Sequence, residues 1–182
     1  MKKYLLFDLD GTLTDPKIGI TTCVQYALHS FGIEEPDLDK LEPFIGPPLR
    51  DSFMEFYGFT AEQAEEAVAK YRERFQDTGL FENEVYDGVP ALLADLKAAG
   101  KTVIIATSKP EDFAKRIMAH FDLAQYCDFV CGATMDETRT DKADVIAYAL
   151  ETAGITDKSR VVMVGDREHD VVGAKKNGLP CI

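Results

Sequence analysis

The chain has 182 residues, 46% hydrophobic and 29% charged, with 20 Lys and Arg against 32 Asp and Glu and a formal net charge of −12. The apolar share suffices for a buried core and argues against a disordered acidic chain, while the negative sign opposes nucleic-acid phosphates and anionic membrane leaflets. No apolar run approaches the roughly 20 residues of a membrane helix, and Met1-Lys2-Lys3-Tyr4-Leu5-Leu6-Phe7 starts like a signal peptide but is broken at Asp8; a cytoplasmic protein with no nucleic-acid or membrane partner is expected.

Tyr4 to Phe7 reads as a first strand. Asp15-Pro16 then starts a helix carrying Ile20, Val24, Ala27, Leu28 and Phe31, which ends at Gly32. Phe44-Ile45-Gly46-Pro47-Pro48-Leu49-Arg50 is a constrained loop, since Gly and two Pro restrict the backbone. Thr60-Ala61-Glu62-Gln63 has the form of a capping box ahead of Ala64, Ala67, Val68, Tyr71 and Phe75. Val89-Pro90 opens a helix with Leu92, Leu93 and Leu96 that closes at Gly100. A strand follows from Thr102 to Ala106, and Pro110 opens a helix with Phe113, Ile117 and Phe121. Asp128 to Cys131 is a third strand, and a helix runs from about Lys142 through Val145, Ile146, Ala149 and Leu150 to Gly154. Val161 to Val164 is a fourth strand, before a helix from Val171 to Lys176 that ends at Asn177-Gly178.

Strands that are apolar throughout, alternating with helices, predict an α/β fold with a doubly wound parallel sheet. The long interval after the first strand breaks that rhythm and reads as an inserted all-helical cap over residues 16–84, with residues 1–15 and 85–182 forming the α/β core. The cap holds 14 acidic and 6 basic side chains, so most of the excess negative charge sits on it as solvated helix faces. Cys23, Cys127, Cys131 and Cys181 lack metal-ligand or disulfide spacing and read as small buried residues in a reducing compartment.

In open α/β sheets ligands bind beyond the carboxyl ends of the strands. Here those ends carry Asp8-Leu9-Asp10-Gly11-Thr12, Thr107-Ser108-Lys109 and Gly165-Asp166-Arg167-Glu168-His169-Asp170. No glycine fingerprint follows the first strand and no Gly-x-x-x-x-Gly-Lys-Ser/Thr occurs, which removes support for dinucleotide and P-loop readings. Carboxylates, a hydroxyl and a lysine suit phosphoryl transfer to a carboxylate nucleophile assisted by a metal ion. Mg²⁺ fits best, because it prefers oxygen ligands and one or two carboxylates beside a substrate phosphate, which Asp8 and Asp166 can supply. Without a metal, Asp8, Asp10, Asp166 and Asp170 repel an incoming phosphate, and Lys142 alone cannot offset four negative charges.

These residues resemble the haloacid dehalogenase superfamily of phosphohydrolases, in its phosphoglycolate-phosphatase-like branch with a helical cap after the first strand. Asp8-Leu9-Asp10-Gly11-Thr12-Leu13 looks like the first motif, Val103 to Thr107 the second, Lys142 the third, and Gly165-Asp166 with Asp170 the fourth. The resemblance implies a Mg²⁺-dependent phosphatase acting on a small-molecule phosphate monoester of the phosphoglycolate, nucleotide or sugar phosphate class. It implies that Asp8 is the nucleophile forming an aspartyl-phosphate and that Asp10 protonates the leaving group and then activates water. It further implies that Thr107 and the Ser108 backbone N–H bind phosphoryl oxygens and that Lys142 neutralises charge on the nucleophile and phosphate. Mg²⁺ would be held by Asp8, the Asp10 backbone carbonyl and Asp166, with Asp170 in a supporting or water-mediated position. Asp10 favours a phosphatase over the superfamily's dehalogenases, which lack it.

Substrate choice is expected from the cap, with Arg50 facing an anionic part of the substrate and Lys109 a second charge near the phosphate. His29, His120 and His169 have no mutual spacing for a metal site. A sugar-phosphate phosphomutase shares the carboxylate pair and cap, and a non-catalytic metal-binding or interaction protein is the third alternative. The family's core normally continues beyond Leu179-Pro180-Cys181-Ile182, so a fragment with an incomplete sheet edge is expected, as monomer or homodimer.

Overall fold

The computed structural model describes residues 2–136 and 138–182; Met1, in the opening run, and Glu137 lie outside them. The chain divides into two compact units, Met1–Thr14 with Val85–Ile182, and Asp15–Glu84.

In the first unit, β1 (Tyr4–Phe7) lies inside a four-stranded sheet, and two short strands, β2 (Thr14–Asp15) and β3 (Glu84–Val85), stand where the chain passes from one unit to the other. After α4 (Val89–Ala98), β4 (Thr102–Pro110), α5 (Glu111–His120), β5 (Phe129–Ala133), α6 (Lys142–Thr152), β6 (Val161–Val164) and α7 (Glu168–Lys176) complete the alternation. All pairings are parallel in the order β5-β4-β1-β6. The chain moves outward from β1 through β4 to β5, then α6 carries it back across to β6 on the other flank. That reversal makes the carboxyl ends of β1 and β6 the switch point of the sheet, where α/β sheets place their ligands. Leu6 sits opposite Ile104 and Met163 in the register and packs with them under Val145, Ile146, Ala149, Leu150 and Ala174 of α6 and α7. Burying each such aliphatic side chain contributes about 1.5–3 kcal/mol.

Boundaries differ from the sequence pattern where side chains or irregular pairing intervene. Strand β4 runs to Pro110 rather than Ala106, because pairing with β5 resumes at Pro110 and Ala133 after a register shift between Ala106 and Pro110. Thr107, Ser108 and Lys109 sit in that irregularity, which re-aims side chains at the strand end. Helix α7 begins at Glu168, not Val171, since the Asp170 carboxylate reaches back to accept from Arg167 N–H at 3.1 Å. Past β6, Met163 N–H donates to Pro180 O (3.0 Å) and Ile182 N–H to Met163 O (2.9 Å), so the last residues begin a further edge pairing.

The second unit consists of α1 (Lys17–Ser30), a 3₁₀ segment (Leu38–Phe44), α2 (Leu49–Tyr57), α3 (Ala61–Arg74) and a π-helical turn (Phe75–Gly79). Its core joins Val24, Ala27 and Leu28 of α1 to Phe44, Phe53, Ala64, Ala67 and Tyr71, all buried. The capping box at Thr60 forms, with Gln63 N–H donating to Thr60 Oγ1 at 3.2 Å and Thr60 N–H to Gln63 Oε1 at 3.0 Å. Phe75 lies just past α3 in the widened turn, where Leu80 N–H donates to Phe75 O at 2.8 Å. The constrained loop is shorter than the sequence suggests, because Leu49 and Arg50 form the first turn of α2.

Candidate active site

Asp8 is the first residue past β1, and its N–H donates to Val164 O at 2.9 Å, so the ladder with β6 continues one residue beyond the strand and fixes the side chain. The chain then turns tightly, with Leu13 N–H and Thr14 N–H both donating to Leu9 O. Gly11 is required there twice over. Its φ is +86°, and a Cβ on it would stand 2.5 Å from Asp166 Oδ2. Asp166, just after β6, accepts from Thr12 Oγ1 at 2.9 Å, and Arg167 Nε lies 4.0 Å from its other oxygen.

Lys142 stands at the start of α6, whose first turn is capped by Asp141 accepting from Ala143 N–H at 2.7 Å. Its ammonium lies 2.6 Å from Asp8 Oδ1 and 2.7 Å from Asp170 Oδ1, and the three side chains are no more than 10% exposed. Two glycines permit this packing. A Cβ on Gly165 would lie 2.3 Å from Asp170 Cγ, and one on Gly173 would lie 3.0 Å from Lys142 Cγ. Burial pushes the Asp170 carboxyl above the ordinary carboxylate range, the nearby Lys142 opposes this and the Asp8 charge adds to it.

The second lysine serves the second carboxylate. Lys109, turned inward by the irregular end of β4 and only 9% exposed, places Nζ 3.0 Å from Asp10 Oδ2. Burial raises the Asp10 carboxyl, with Lys109 acting against it. Asp10 Oδ1 is buried and accepts no hydrogen bond from the described residues. Thr107, 2% exposed, accepts from Lys109 N–H at 3.2 Å, and Ser108 beside it is exposed. An accepting hydroxyl keeps its own hydrogen to donate.

The structure thus brings Asp8, Asp10, Thr107, Lys109, Lys142, Asp166 and Asp170 to one edge of the sheet. Arg50 belongs to the other unit, where its Nε lies 2.9 Å from Glu65 Oε1. Sequence reasoning assigned no role to Thr12 or Arg167, although both stand inside the motifs it quoted; a hydroxyl or guanidinium next to an isolated Asp gives no sign of its partner until the turns are folded. Carboxylate oxygens of Asp8, Asp166 and Asp170 lie within 4.8 Å of one another. Four carboxylates against two ammonium groups and the Arg167 guanidinium still leave the edge with an excess of negative charge, and this all-oxygen donor set fits a hard divalent cation. Among the described residues no helix is long and apolar enough to cross a membrane.

A family model described as haloacid dehalogenase-like hydrolase matches residues 5–182. A 5'-nucleotidase of Pseudomonas aeruginosa is 51% identical over 178 residues, spanning 98% of this chain and 80% of that protein. A protein of Mycobacterium tuberculosis named tyrosine-protein kinase PtkA is 40% identical over 180 residues, 99% of this chain and 61% of its own length. The crystal structure of a predicted phosphatase from Clostridium acetobutylicum matches with a TM-score of 0.92 at 50% identity, covering 100% of this chain and 83% of that one.

Proposed function

This chain belongs to the haloacid dehalogenase-like hydrolase family, and on that premise we propose that it is a Mg²⁺-dependent phosphatase of small phosphate monoesters that works through an aspartyl-phosphate on Asp8. Nucleoside 5'-monophosphates stand first among its substrates, in line with the 5'-nucleotidase to which it is 51% identical. The observation that carries the reading is the separate treatment of two carboxylates: Asp8 meets Lys142 at 2.6 Å and Asp10 meets Lys109 at 3.0 Å.

Asp8 attacks phosphorus, and the P–O bond to the leaving alcohol breaks as the new one forms. Asp10, whose carboxyl is raised by burial, delivers a proton to the leaving oxygen and then takes one from the water that opens the aspartyl-phosphate; one group does both steps because the second regenerates the base. Thr107 donates its hydroxyl hydrogen to a phosphoryl oxygen, the Ser108 N–H does the same, and Lys142 offsets charge on Asp8 and the phosphate. Asp8, the Asp10 main-chain carbonyl and Asp166 hold the metal, with Asp170 in support. When bound, the metal offsets the negative charge of the phosphoryl group beside these carboxylates. The 15–84 unit serves as the cap that selects the substrate, with Arg50 proposed to hold its anionic remainder.

Phosphate release from p-nitrophenyl phosphate and AMP, measured with Mg²⁺, with EDTA and with Asp8→Asn, tests the reading. Turnover that needs Mg²⁺ and is lost in Asp8→Asn is expected. Conversion of a sugar 1-phosphate to its 6-phosphate without net release would identify a phosphomutase instead, and a folded wild type with no turnover would sink the enzymatic account.

A further inference from the structure

The opposite edge of the sheet gathers cations. Lys2 and Lys3 precede β1, Lys101 precedes β4 and Arg160 precedes β6. Because these strands are parallel neighbours in the order β4-β1-β6, the three approach segments run side by side at the end remote from Asp8 and Asp166. Backbone pairing stitches them together: Lys3 N–H donates to Arg160 O at 2.9 Å and Thr102 N–H to Lys3 O at 3.0 Å. Lys101 Nζ donates to Lys2 O at 2.8 Å and Lys2 Nζ to Ser159 O at 2.9 Å. With Ala99 and Gly100, the four cations line a cleft of about 290 Å³.

Cations outnumber counter-charges in this cluster, where Asp157 is held below the ordinary carboxylate range first by Ser159 and in smaller part by the charges of Arg160 and Lys2. Lys17, Arg74, Lys97, Lys109 and Lys142 each meet a carboxylate in an ion pair, whereas Lys2 and Lys101 direct Nζ to main-chain oxygens and Lys3 lies over the Tyr4 ring. Asp157 accepts from Ser159 N–H (3.1 Å) and Oγ (2.6 Å), and Asp128 accepts from Lys97 Nζ (2.6 Å) and Val103 N–H (2.9 Å). In a chain of net charge −12, four cations held side by side repel one another and lower the cost of taking up an anion.

We propose that this cleft binds a compact phosphate polyanion, either free diphosphate or the diphosphate group of a nucleotide. Three ammonium point charges and one guanidinium fork suit clustered phosphoryl oxygens, and the floor is open, since a Cβ on Gly100 would meet nothing within 4 Å. The volume fits a small ion, and the negative charge of the rest of the chain disfavours a long polyanion track. A ligand here stands apart from Asp8, so the site is independent of the catalytic reading.

Calorimetric titration with sodium pyrophosphate, at constant ionic strength and in EDTA, tests the assignment on the wild type, on the Lys101→Gln/Arg160→Gln pair and on Lys158→Gln as a control outside the cleft. Binding weakened about tenfold or more in the pair and unchanged in the control is expected, with amide shifts in the wild type centred on Gly100, Lys101 and Arg160. ADP tighter than pyrophosphate assigns a nucleotide, and equal affinity assigns the diphosphate alone. No wild-type binding, equal affinity in the pair, equal loss in the control, or shifts confined to Asp8 and Thr107 would overturn the site. Should the pair fail to fold, the wild-type amide shifts decide by themselves.

Discussion

Replacing Lys142 with Met removes the one ammonium that touches both Asp8 and Asp170, at 2.6 and 2.7 Å, and keeps the stem that packs beneath it. Breaking a buried pair by deleting one partner costs about 3–5 kcal/mol, but a carboxylate can escape that cost by taking up a proton. Asp170 is the group that does so, being 1% exposed and already raised by burial. From its ordinary value of 3.8, protonation at pH 7 costs about 4.4 kcal/mol, at about 1.36 kcal/mol per pH unit. The same escape at pH 5 costs about 1.6 kcal/mol. In EDTA, Lys142→Met is therefore expected to lose about 4 kcal/mol at pH 7 and less than 2 kcal/mol at pH 5, a slope of about one proton. The sign follows from linkage: a carboxyl raised in the folded state favours folding below its unfolded value and loses that contribution as pH rises through the folded one. Urea unfolding at the two pH values measures the difference. A loss that is the same at both would refute the claim that an unpaired buried carboxylate is its source.

Other expectations follow from single contacts. Gly11→Ala forces a side chain into φ +86° and against Asp166; it should cost about 1–3 kcal/mol and weaken Mg²⁺ binding, and unchanged calorimetric affinity would remove Asp166 from the metal site. Mg²⁺ at tenfold its dissociation constant should add about 1.4 kcal/mol, raising Tm by about 3–6 °C, and Asp166→Asn should abolish the shift in a thermal melt. Arg74 holds the Glu82 carboxyl below its ordinary value through contacts of 2.6 and 2.8 Å. Glu82→Gln should then cost about 1 kcal/mol at neutral pH, and the penalty should vanish as pH falls through the depressed Glu82 value; a penalty persisting in acid would assign it to packing.

The alternation of β1, β4, β5 and β6 with helices was legible because each strand carries a short run of apolar side chains, a pattern that does not depend on partners. Strand ends were less legible. Nothing in Thr107-Ser108-Lys109 announces that pairing with β5 lapses and resumes at Pro110, since an irregularity of this kind belongs to two strands at once. Helix α2 escaped notice because Gly46, Pro47 and Pro48 mark where a helix cannot be and say little about where the next one starts. The start of α7 was hidden for a related reason: Asp170 caps the helix from its third position, so its effect lies upstream of its place in the chain.

The same distinction explains which site chemistry the sequence discloses. Residue types at strand ends name the carboxylates, but not which cation each one faces, because Lys109 and Lys142 are remote in sequence from the residues they meet. Asp8 and Asp10 are held in different surroundings only two residues apart: Asp8 shares the Lys142 ammonium with Asp170, while Asp10 pairs with Lys109 and has a buried oxygen left over. A nucleophile must stay ionised and a proton carrier must change state, so two carboxylates serve two roles only if their surroundings differ. The fold supplies that difference through the start of α6 and the irregular end of β4, elements that pack against each other yet each aim a lysine at a different carboxylate.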